Sequence, residues 1–195
     1  MRIILASKSP RRKSILENIG IQFDVIESNF DEKIEEIKTP EDTVKYLSYK
    51  KAESVAQNLK KSEKAGTLVI GADTVVVLDS EILGKPKSYD DAFGMLRRLS
   101  GKWHSVYTGI CVYNVYNSKY AVDFETTRVK IKSLTPDEIN RYIERERPYD
   151  KAGSYAIQGY GSLIVEKING CYFNVVGLPV FKLSNLLMEF GVKLL

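Results

Sequence analysis

The chain has 195 residues, enough for one domain or two small lobes, and a chain of this length buries roughly 70% of its unfolded surface. Hydrophobic residues at 44% and charged residues at 28% are ordinary for a globular protein, and a net charge of +4 is too weak to argue for DNA binding while suiting an anionic ligand. Two distant cysteines, Cys111 and Cys171, and a single histidine, His104, argue against a structural zinc site; the longest apolar runs fall far short of a membrane span or a signal peptide, so reduced core cysteines and a cytoplasmic location are expected.

Residues 2–6, RIILA, read as a short buried strand. Ser9 sits at an N-cap position with Pro10 at the first helical residue, and RRKSILENIG follows as a helix stopped by Gly20. QFDVIES is expected to be a second strand, and NFDEKIEEIKTP a polar loop. Thr39 and Pro40 open another helix, with Glu41 and Asp42 suiting its dipole, that should reach about Leu59. KKSEKAG reads as a solvated connector.

TLVIGADTVVVLD carries a strong strand signal, expected to be interrupted at Gly71-Ala72-Asp73, and ILGKPKS is expected to be a loop. Ser88 caps a helix over YDDAFGMLRRLSG. Residues 103–132 are rich in Val, Ile, Tyr and Thr and read as two antiparallel strands joined near NSK. LTPDEINRYIERE is a capped helix, and RPYDKAGSYAIQGYG a long irregular loop. SLIVEKINGCYFNVVG reads as a strand, an Asn-Gly turn and a short continuation, with LPVFKLSNLLMEFG a closing amphipathic helix. This order implies an α/β fold on a mixed sheet, in one domain over residues 1–195.

Four loop segments concentrate charge. In ASKSPRRKSIL, Lys8, Arg11, Arg12 and Lys13 cluster at a helix start behind a strand, where backbone N–H groups and the helix dipole favour an anion. Ser7 and Ser9 add hydroxyls, and the guanidinium forks match phosphate oxygens; a capped surface helix with solvated cations is the rival reading. SNFDEK offers Asp31 and Glu32, which as loop acids are commonly just solvated. GADTVV places Asp73 beyond an apolar strand, where open α/β sheets bind ligands, although an Asp capping a turn explains it equally well. LGKPKS holds Lys85 between Gly84 and Pro86, which restrains it toward extended backbone. Together these segments supply carboxylates for a divalent cation and cations for phosphates, the combination of phosphoryl-transfer sites. Walker and Rossmann motifs and a nucleophile elbow are absent from the sequence, and His104 reads as a hydrogen-bonding structural residue.

These motifs, taken with Lys51-Ala52, SGKWHSVYTG and DKAGSYAIQG, resemble the Maf family of nucleoside triphosphate pyrophosphatases in order and nearly end to end. The branch acting on dTTP and UTP is the most similar. The resemblance implies a mixed, twisted sheet flanked by helices, with two lobes around a cleft as in inosine triphosphatase-like folds. It implies hydrolysis of a pyrimidine nucleoside triphosphate to monophosphate and pyrophosphate with Mg2+ or Mn2+, clearing unwanted nucleotides, in a homodimer that holds neither nucleic acid nor membrane. Residue by residue, it implies phosphate binding by Ser7, Arg11, Arg12 and Lys85. It makes Asp73 the general base, assisted by Lys51 and Glu32, with Glu32 and Asp73 holding the metal. Arg12, Thr74 and Gln158 mark the dTTP/UTP branch, and the amide of Gln158 can pair with a pyrimidine edge. Lys50 beside Lys51 leaves open which lysine points inward; the two diverge by about 100° on a helix, and the Lys-Ala pair favours Lys51. Two other readings stand beside this one. A nucleic-acid module would use the basic opening and the 12 tyrosines, but acids interleave with the bases. A cell-division interaction protein is suggested only by the family's historical name.

Overall fold

In a computed structural model of the chain, residues 1–30 and 39–195 are described. The strands are β1 (Arg2–Leu5), β2 (Asp24–Val25), β3 (Thr67–Leu78), β4 (Glu81–Leu83), β5 (Trp103–Asn114), β6 (Tyr120–Ile131) and β7 (Val165–Asn169). The helices are α1 (Pro10–Asn18), α2 (Pro40–Asn58), α3 (Tyr89–Leu99), α4 (Pro136–Glu146), α5 (Tyr172–Val176) and α6 (Val180–Glu189). The described strands form one seven-stranded sheet in the order β2-β1-β3-β5-β6-β7, with β4 paired to β3. It is mixed: β1 runs parallel to β2 and β3, whereas β3–β4 and β6–β7 are antiparallel. The fold is therefore the mixed α/β class expected, and no described helix is long and apolar enough to cross a membrane.

The chain divides into two compact units, the first comprising Met1–Asp73, Thr108–Glu125 and Gly177–Leu195, the second Thr74–Tyr107 and Thr126–Val176. In the first unit, β1 is almost wholly buried, in keeping with the three continuously apolar residues that follow Arg2. Its core joins Ile4, Ala6, Ala52, Val55, Ala56, Val69 and Cys111. Helix α2 starts where expected: Pro40 occupies the first turn, and the Thr39 side chain accepts from the Asp42 amide at 3.1 Å. Its inward stripe, Val44, Leu47, Ser48, Ala52, Val55 and Ala56, follows the helical period.

The second unit is organised by α3 and α4, whose Leu96, Leu99, Ile139 and Ile143 are fully buried against Val129 and Ile131; each such side chain contributes about 1.5–3 kcal/mol of burial. Ser88 caps α3 through the Asp91 amide, and Thr135 and Glu138 form a reciprocal capping box on α4.

Four expectations are corrected. β3 runs unbroken from Thr67 to Leu78, so Asp73 lies inside a strand rather than beyond its end. Gly71 marks a close approach instead of a turn: a Cβ there would meet the Ser48 carbonyl oxygen of α2 at 2.0 Å and the Ala52 nitrogen at 2.9 Å. The stretch after β3 is a tight hairpin into β4, not simply loop. Its two connecting residues, Asp79 and Ser80, both have positive φ (52° and 68°), as a type I′ turn requires. Beyond Asn169-Gly170 the chain forms helix α5 rather than a strand continuation. The QFDVIES strand shrinks to Asp24–Val25.

Candidate active site

The parallel register Leu5↔Ile70 carries the end of β1 alongside the middle of β3, and the Ala6 amide extends it by donating to the Ile70 carbonyl at 2.8 Å. Ser7 thus leaves the sheet next to the strand that holds Asp73. Ser7 is buried, and its Oγ accepts from the Ser9 amide and from Arg12 Nη1, both at 3.2 Å. Ser9 itself makes no side-chain cap on α1, so the hydroxyl that organises this turn is that of Ser7.

Arg12 points inward from α1 and is 9% exposed. Its Nε donates to the Gly177 carbonyl at 2.7 Å and its Nη1 to the Ala72 carbonyl at 2.9 Å. The guanidinium therefore holds the peptide immediately before Asp73 as well as lying where an anion was expected; the planar fork suits several simultaneous acceptors. Arg11, one position earlier in the first turn of α1, is half-buried.

Lys51 and Asp73 meet: Nζ donates to Oδ1 at 2.5 Å, with side-chain exposures of 12% and 9%. The choice between the two lysines follows from the period of α2. Lys51 lies three residues after Ser48 and seven after Val44, on the buried stripe, whereas Lys50 turns away to Glu53 at 2.7 Å. Ala52 packs beside Gly71, and Asp73, two residues further along β3, shares that face of the strand. The glycine thus lets the helix lie close enough for the ion pair to form. A buried pair of this kind gives little net stability, because desolvation cancels most of the attraction.

Ser7, Arg12, Lys51 and Asp73 are thus gathered in the first unit from α1 with its leading turn, α2 and β3. Glu32 lies outside the described residues, as does Asp31. Thr74, Lys85 and Gln158 belong to the second unit. Thr74 follows Asp73 in β3 and is half-buried; Lys85 and Gln158 are exposed. The loop of Lys85 is tied to the segment leading to Gln158 by the Gly153 amide, which donates to the Gly84 carbonyl at 3.0 Å. His104 is 4% exposed and structural, as expected: its Nε2 lies 2.6 Å from the Tyr155 hydroxyl, and burial lowers its pKa to about 4, so it stays neutral. Both cysteines are free thiols, Cys111 buried and Cys171 partly so. Sequence reasoning missed Gly71 as a site residue, although a glycine inside a strand signal is itself a sign of close backbone approach. It also missed the Ala72 and Gly177 carbonyls, which no side-chain pattern reveals.

The Maf-like protein family matches residues 2–190 of the chain. The chain is 55% identical over 196 residues to the dTTP/UTP pyrophosphatase of Thermoanaerobacter pseudethanolicus, covering all of both proteins. It is 50% identical over 194 residues to the protein of the same name in Caldicellulosiruptor bescii, covering all of this chain and 97% of that one. A third so named, from Clostridioides difficile, is 50% identical over 97% of this chain and 95% of its own. The solved Ham1 protein of Staphylococcus aureus aligns with 67% of this chain and 72% of its own at 16% identity and a TM-score of 0.42, a partial likeness only.

Proposed function

The chain belongs to the Maf family, and from that membership we propose that it hydrolyses dTTP and UTP to the monophosphate and pyrophosphate, clearing unwanted pyrimidine nucleotides. The observation that carries the chemistry is the buried Lys51–Asp73 pair beside the Ser7–Arg12 turn, in a chain similar over its whole length to proteins named for this reaction.

Asp73 is the general base: its carboxylate takes the proton of the water that attacks phosphorus. Lys51 holds that carboxylate in place through the ion pair, and its ammonium balances charge on the phosphates. Ser7 and Arg11 bind phosphate oxygens at the start of α1, where the helix dipole favours negative charge. Arg12 binds there too, while fixing the Ala72 peptide and hence the carboxylate that follows it. Lys85, Thr74 and Gln158 are assigned to the same substrate by their match to the family's motifs. Lys85 would take the phosphate chain. Gln158 would pair its amide donor and acceptor with a pyrimidine edge, with Thr74 beside the ring. A pocket built on such pairing rejects bases that leave its polar groups unpaired.

A divalent cation fits this donor set as one shared with the substrate. Among the described residues no group of three or more His, Cys, Asp or Glu could hold a metal alone, and Asp73 offers a hard carboxylate of the kind that Mg2+ or Mn2+ accepts. Asp73 would hold it together with Glu32. When bound, the ion neutralises phosphate charge and activates water.

The test is pyrophosphate release from dTTP, UTP, CTP, GTP, ITP and 7-methyl-GTP. Asp73→Asn should lose about 10²- to 10⁴-fold in kcat while still folding; full activity in that variant removes Asp73 from the role of base. A preference for the purine nucleotides overturns the assignment of Gln158 and Thr74.

A further inference from the structure

The turn at residues 155–161 in the second unit exposes Gln158 and yet is held from several directions. At its entry, the Tyr155 hydroxyl lies 2.6 Å from His104 Nε2 on β5, with both rings buried and edge to face. One residue on, the Ala156 amide donates to the Tyr142 hydroxyl of α4 at 3.1 Å. Past the tip, the Tyr160 amide donates to Glu146 Oε1 at 2.8 Å, and Arg145 Nη1 donates to the Tyr160 hydroxyl at 2.8 Å. The turn also closes on itself: the Gly161 amide donates to the Gln158 carbonyl at 3.1 Å. A Cβ on Gly161 would come within 1.5 Å of the Ala156 carbonyl oxygen, so only glycine fits there.

The Tyr155–His104 bond is an expensive way to fill a core. His104 Nδ1 is buried with no hydrogen-bond partner among the described residues, and an unpaired buried nitrogen costs stability that two apolar rings would not. What the polar pair supplies is direction. It pins the far end of the Tyr155 ring, and with it the backbone that enters the turn. A recognition side chain needs such a support, because a reading group that must first be ordered spends affinity on ordering.

We propose that His104 and Tyr142 are positioning residues for pyrimidine recognition, acting through the Tyr155–Ala156 backbone to hold Gln158 in its reading pose. This rests on the assignment of Gln158 to the base. Neither residue touches the substrate; each sets the geometry of the one that does.

Tyr155→Phe and Tyr142→Phe each delete one oxygen and keep the volume, so the fold should persist, as circular dichroism and thermal melting would verify. Each should raise KM for UTP about five- to tenfold, the worth of one neutral hydrogen bond. Each should lower the preference for UTP over CTP by a similar factor, with kcat at saturation within about twofold. His104→Phe should behave alike, and His104→Gln, which returns a donor near the place of Nε2, should recover part of the preference. Gln158→Ala is measured in parallel. If it loses the preference while all three Phe variants keep KM and preference within about twofold of the parent, the assignment of Gln158 stands and the positioning role alone is overturned. If Gln158→Ala leaves the preference intact, the assignment of Gln158 fails and the positioning role falls with it.

Discussion

Lys51 and Asp73 make a double substitution informative at the scale of single residues. Removing one partner of a buried pair strands the other charge in a poorly solvated place, at a cost of about 3–5 kcal/mol. Lys51→Met should therefore destabilise the protein by that amount in urea denaturation. The double variant Lys51→Met, Asp73→Leu should return to within about 1 kcal/mol of the parent, since two apolar groups replace two compensating charges. Both should be inactive. A Lys51→Met protein as stable as the parent would mean that water or other groups compensate the Asp73 carboxylate. Of this pair only the choice of lysine was partly legible: on a helix one of Lys50 and Lys51 at most can turn inward, and the Lys-Ala pair favoured Lys51, but it takes the buried stripe of Val44, Ser48 and Val55 to show that Lys51 lies on it. The second duty of Arg12 was not legible. Its carbonyl partners Ala72 and Gly177 lie 60 and 165 residues away, and a backbone oxygen carries no residue type to read.

At the scale of elements, the contact of α2 with the sheet decides the geometry. Gly71 on β3 and Gly109 on β5 both lie against the helix backbone; a Cβ on Gly109 would meet the Val44 carbonyl oxygen at 2.1 Å. At these two points the helix backbone rests directly on the strands, and Lys51 is set at a fixed height above Asp73. Gly71→Ala would force the helix outward. The expected outcome is a loss of about 1–3 kcal/mol or more from overpacking, together with a fall in kcat larger than the stability loss accounts for, because the ion pair is stretched. A variant that melts early yet keeps full kcat at low temperature would separate packing from catalysis and refute the coupling. The helices were largely legible, since Thr39-Pro40, Ser88 and Thr135-Pro136 carry their own start signals. The break expected at Gly71 was not there: glycine before Ala-Asp resembles turn chemistry, and only the helix lying on it shows the need for an absent side chain. The β3–β4 hairpin escaped notice for a similar reason. Asp79-Ser80 is an uncommon pair for a type I′ turn, which favours glycine.

At the scale of the whole molecule, the chain passes between its two units inside strands β3, β5 and β6 and again before Gly177. A strand that belongs to both units passes the loss of order in one to the other through continuous backbone. Urea unfolding should accordingly be a single transition, with the fluorescence of the sole tryptophan, Trp103 in the second unit, coinciding with far-ultraviolet circular dichroism. Two separated midpoints would show the units to be independent. Asp73 is the last residue of one unit's opening segment and Thr74 the first residue of the other. No stretch of gene encodes either unit alone, so recombination cannot trade one for a homologous part as it can with beads on a string. New substrate preferences on this framework have to arise by substitution in place, one codon at a time, under the constraint that β3, β5 and β6 still serve both units.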